Sequence, residues 1–68
     1  MPSEVRFAVV RKLLETNGWT LVRISSSHHI FEKPGRRGHL SISVHHGKVK
    51  YGYVRIIEKA IEEDKKEA

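Results

Sequence analysis

The chain has 68 residues, no cysteine and a formal net charge of +5. That length gives one small domain with a modest core, and the lack of cysteine excludes disulfides and cysteine-ligated zinc as staples. Residues 1–57 carry ten basic against three acidic side chains, whereas 58–68 carry three against five, so a basic body points to a polyanionic partner, nucleic acid first.

Residues 3–17 read as an amphipathic helix. Ser3 is a suitable N-cap, Glu4 suits the first turn, and Val5, Phe7, Val9, Val10, Leu13 and Leu14 cover one face. Asn17-Gly18 stops it. Residues 19–24, Trp-Thr-Leu-Val-Arg-Ile, favour a strand, and Ser25-Ser26-Ser27 is a polar break. Residues 28–33 form a second strand, followed by the turn Pro34-Gly35-Arg36-Arg37-Gly38. Residues 39–45 alternate cleanly, with Leu40, Ile42 and Val44 facing one way and Ser41, Ser43 and His45 the other.

Residues 46–50 read as a basic loop. A second helix starts at Tyr51, with Tyr53, Val54, Ile57, Ala60 and Ile61 on one face. Residues 1–68 form a single domain, of which 62–68 is a charged tail expected to fray. The order is α-β-β-β-α, and the fold class is α+β. Short connections predict a two-layer sandwich, a three-stranded antiparallel sheet with both helices on one face. No apolar run approaches the roughly 18 residues of a membrane span, and no signal-peptide pattern is visible. A chain in the cytoplasm with no membrane partner is expected.

Chemistry concentrates in five histidines between positions 28 and 46. Neighbours on a strand point to opposite faces, so His28-His29 and His45-His46 are poor chelating pairs, and no metal site is expected. A structural role at half-exposed strand positions is one reading. General acid–base catalysis is another, because histidine changes charge near neutral pH. RNA suits that second reading. Its 2′-hydroxyl is an internal nucleophile, so cleavage needs only a base, an acid and cations near the phosphate, with no cofactor. Lys33, Arg36, Arg37, Lys48 and Lys50 are the candidate RNA-binding cations. The glycines fit neither GxxxxGK[ST] nor GxGxxG, and no GxSxG elbow is present.

The run Gly18-Trp19-Thr20-Leu21-Val22-Arg23-Ile24-Ser25-Ser26-Ser27-His28-His29-Ile30-Phe31 resembles the HicA toxin motif, G-W-x-x-x-R-x-x-G-S-H-H-x-[FY]. The resemblance continues through Lys33-Pro34, Ser43-Val44-His45 and Lys50-Tyr51-Gly52-Tyr53, and spans about residues 4–61. It implies a double-stranded-RNA-binding-domain-like fold, cleavage of mRNA, and masking by a HicB-type antitoxin. It places the catalytic histidine at His28. Ser26 stands where the motif has glycine, and Val44 where a proline is usual. If the turn takes positive φ at Ser26, serine carries strain there. A non-catalytic RNA-binding module of the same fold is the alternative, and a protein-interaction domain docking an acidic partner is a third reading.

Overall fold

The computed structural model describes residues 3–67, without the side chains of 66 and 67. Its elements are β1 (Glu4–Arg6), α1 (Phe7–Thr16), β2 (Thr20–Ser25), β3 (His28–Glu32), β4 (Leu40–Ser43), β5 (Lys48–Lys50) and α2 (Tyr51–Glu67). Strands β2, β3 and β4 form an antiparallel sheet in that order. Val10 and Leu14 of α1, and Ile57, Ala60 and Ile61 of α2, share one core with Trp19, Phe31, Ile42 and Val49. Both helices therefore cover one sheet face, as the alternation of 39–45 predicts.

The α1 terminus is built as its sequence dictates. Trp19 N–H donates to the Leu14 carbonyl at 2.9 Å and Gly18 N–H to the Glu15 carbonyl at 3.1 Å. This is the Schellman closure, with Gly18 at φ +89°. Leu14 and Trp19 supply its apolar contact, so the stop that ends the helix also seats the indole in the core.

The other end differs from expectation. Glu4–Arg6 is a strand, not the first turn of a helix, and 48–50 is its antiparallel partner, not a loop. Val5 pairs with Val49, and both turn toward the core. Phe7 N–H donates to Gly47 O at 2.8 Å and Tyr51 N–H to Ser3 O at 2.9 Å, so each helix starts directly from this ribbon. Helical numbering would have buried Val9, yet it is 58% exposed. The stretch expected to fray, 62–68, is helical up to Glu67, while Ala68 lies outside the described residues. Among the described residues no helix is long and apolar enough to cross a membrane.

Two tight turns aim the strands. His46-Gly47 has φ +53° and +74°, the pattern of a type I′ loop. Ser26 has φ +56° and is the first residue of the two-residue loop between Ser25 and His28, which pair with each other. A non-glycine residue there pays roughly 1–2 kcal/mol. Glycine would relieve this but would add about 0.5–1 kcal/mol of unfolded-state entropy. Ser26→Gly is therefore expected to stabilise the fold by about 0.5–1 kcal/mol, read from urea unfolding. A destabilised variant would show that the turn carries no strain.

Candidate active site

The sheet face away from the helices is set by register. Ser25, His28 and Ser43 lie side by side across β2, β3 and β4. His29 lies in the next row with Ile24 and Ile42, on the helix side. The two halves of the His28-His29 pair thus part company. The His29 ring packs on Phe7 with centroids 4.6 Å apart. Its Nδ1 lies 3.3 Å from the Ser27 carbonyl oxygen, which can only accept, so Nδ1 carries the proton. Val44 N–H reaches the same carbonyl at 2.8 Å. Two donors therefore clamp the residue that precedes His28, and His28 itself is exposed on the open face.

A bulge in β2 brings a cation to that face. Leu21 pairs with Phe31 and Arg23 with Ile30, leaving Val22 as the extra residue. Plain alternation would have put Arg23 beside Leu21 in the core; the bulge turns it outward. Arg23 then stands diagonal to His28, a separation of about 7–8 Å in antiparallel sheets.

The face continues into the ribbon. His45 bridges to Lys48, and Lys48 pairs with Arg6. Cross-strand partners share a face, so His45, Lys48 and Arg6 extend the row begun by His28 and Ser43. Ser43 Oγ lies 3.0 Å from His45 Nε2. Arg6 opposite Lys48 is a like-charge pair, unfavourable by itself and suited to a bound anion. Glu4 faces Lys50. Sequence reading missed Arg6 because it took residues 3–17 as helix, and missed Arg23 because a bulge leaves no trace in alternation.

The other candidate cations sit elsewhere. Lys33 follows the far end of β3, about 16 Å along the strand from His28 at the usual rise per residue. Lys33 Nζ lies 3.0 Å from Asp64 Oδ2, and Arg36 also pairs with Asp64. The Arg36 guanidinium lies 5.3 Å from the Trp19 ring centroid. Arg37 is exposed in the same loop. A hollow of about 390 Å³ beside them is lined by Thr20, Val22, Glu32, Lys33, Pro34, Arg36 and Gly38. His28 lies outside it, on open surface accessible to a polymer.

The Asp64 cluster fastens α2 to the loop after β3. The hydrogen bond from Lys33 lowers the Asp64 carboxyl below its ordinary value, burial opposes this, and Arg36 adds to the lowering. A depressed carboxyl gives stability that is complete above the ordinary carboxylate range and is lost as pH falls through the lowered value. Asp64→Asn should lower the melting temperature at neutral pH and flatten the acid limb of the stability curve. An unchanged acid limb would mean the cluster adds nothing.

Comparison with protein families matches residues 8–62 to the family described as HicA toxin of bacterial toxin-antitoxin. No curated protein matches. The matched stretch takes in nearly all of α1, the whole three-stranded sheet, the Ser26 turn with His28, and most of α2. The chain belongs to the HicA toxin family.

Proposed function

We propose that the chain is a toxin endoribonuclease that cuts mRNA in the cytoplasm by metal-independent acid–base chemistry at His28. One observation carries this reading. His28 stands exposed on the open sheet face, at a clamped hairpin end, in a row that runs on to Lys48 and Arg6. A polyanion lying along that row would bring its phosphates to the cations and its backbone to the imidazole. A HicB-type antitoxin would silence the toxin by covering the row with an acidic surface.

Lys48, Lys50 and Arg37, joined by Arg6, are the proposed phosphate contacts. Lys33 and Arg36 contribute less, because both are paired with Asp64 and Arg36 also reaches Glu63. Binding should weaken linearly in log–log with salt, by about 0.7 per phosphate on single-stranded RNA. Reversing both Arg6 and Lys48 to glutamate should reduce the slope by at least about 1.4 and reduce cleavage of the same RNA. The measurement is a salt titration of RNA affinity for parent and variant, followed by cleavage with EDTA present. Equal slopes would remove this ribbon from the interface. RNA held by the parent but never cut would favour the non-catalytic binding module.

A further inference from the structure

We propose that His45 is the second proton-transfer residue of the site, paired with His28 across Ser43; this rests on the ribonuclease reading above. His28 is directly opposite Ser43 in the β3–β4 register. His45 is two residues beyond Ser43, which places it diagonal to His28 at about 7–8 Å. Its ring turns back along the strand, with Nε2 3.0 Å from Ser43 Oγ. The backbone on either side is held. Val44 N–H donates to Ser27 O at 2.8 Å, continuing the pairing past the end of β4. His45 and Lys48 exchange backbone hydrogen bonds of 3.0 and 2.9 Å. Two exposed histidines therefore neighbour Ser43, His28 across the strand pair and His45 two residues along the chain.

The remaining histidines are not alternatives. His29 faces the helices and packs on Phe7. His46 occupies the ribbon turn at φ +53°. His39 precedes Leu40, which pairs with Phe31 and so lies toward the other end of the sheet. A metal reading of the pair would need a third ligand, and among the described residues no group of three such side chains gathers.

The reaction explains why two groups are needed. The 2′-oxygen forms a bond to phosphorus as the bond from phosphorus to the 5′-oxygen breaks. The 2′ proton passes to the unprotonated imidazole. The imidazolium gives its proton to the departing 5′-oxygen. The products are a 2′,3′-cyclic phosphate and a 5′-hydroxyl, and no water or oxidant is consumed. Entering and leaving oxygens lie on opposite sides of phosphorus, so one ring serves both poorly, whereas two rings flanking Ser43 serve one each. Lys48 opposite His45, and Arg6 opposite Lys48, add positive charge beside the phosphate.

The test is single-turnover cleavage of one RNA, with EDTA, across a pH series, for parent, His28→Ala, His45→Gln and Ser43→Ala. A second substrate carries sulfur in place of the 5′-bridging oxygen at the mapped scissile phosphate; its thiolate leaves without a proton. The parent should give a bell-shaped profile. His45→Gln should lose about 10²–10⁴-fold together with one limb of the bell. The sulfur substrate should restore one of the two histidine variants and not the other. Ser43→Ala keeps the imidazole and should retain both limbs with a smaller loss. If His45→Gln keeps its rate and both limbs while His28→Ala does not, His45 is structural and the ribonuclease reading stands alone. Equal restoration of both variants also overturns the division of labour. A parent without cleavage, or one indifferent to His28→Ala, overturns the ribonuclease reading and this inference with it.

Discussion

His28→Ala should lose RNA cleavage by about 10²–10⁴-fold, the usual contribution of one positioned acid or base, while its fold and RNA affinity stay near those of the parent. The two effects separate for a physical reason. In the proposed reading affinity comes from phosphate contacts away from His28, and the imidazole acts only on protons that move in the transition state. His28 is exposed and outside the core, so its loss opens no cavity. His29→Ala is the matched control on the opposite face. It removes the ring contact with Phe7 and the donor to Ser27 O, which should cost about 1–2 kcal/mol in total. Cleavage by its folded fraction should survive in large part, because the Val44 N–H still holds the Ser27 carbonyl beside His28. The assay compares both variants with the parent on one RNA, with circular dichroism to establish folding. Equal losses in the two variants, or full activity in His28→Ala, would end the assignment.

What the sequence reveals of this fold is what local pattern encodes. Leu40, Ile42 and Val44 against Ser41, Ser43 and His45 are one strand's two faces, and the structure keeps them so. Asn17-Gly18 ends α1 through bonds that span only a few residues. Glu4-Val5-Arg6 is a different case. Three residues hold too few alternations to outvote the helical pattern that follows, and the strand exists only because Lys48-Val49-Lys50 arrives from far along the chain to pair with it. Non-local pairing leaves no local mark. The same holds for the site. His28 is legible because its motif is contiguous. The neighbourhood of His28 is not, because Arg23 reaches it by a bulge, and His45, Lys48 and Arg6 by register. The expectation about Ser26 was conditional on the sign of φ, and the structure supplies the positive sign. Lys33 and Arg36 looked like free cations in sequence; their pairing with Asp64 depends on α2 folding back over the loop.

Phe31→Ala should remove most of the stability of the domain. Phe31 is 0% exposed, lies on the central strand between Leu21 and Leu40, and meets the Phe7 ring at 6.3 Å. Truncating a buried phenylalanine costs about 3–5 kcal/mol. A chain of this length has roughly 3–10 kcal/mol in all at the usual stability per residue. The melting temperature should fall by at least about 12 °C at the usual conversion for small domains. Phe31→Leu, which keeps most of the volume, should cost less than half as much. Thermal and urea unfolding of the three proteins make the comparison. A loss near 1 kcal/mol for Phe31→Ala would place the ring outside the core and undo the face assignment of β3. That assignment is what separates His28 from His29, because side chains alternate along the strand. Phe31 shares the inner face with His29, and His28 takes the outer one. The stability of Phe31→Ala therefore tests, without any RNA, the geometry on which the proposed chemistry of His28 depends.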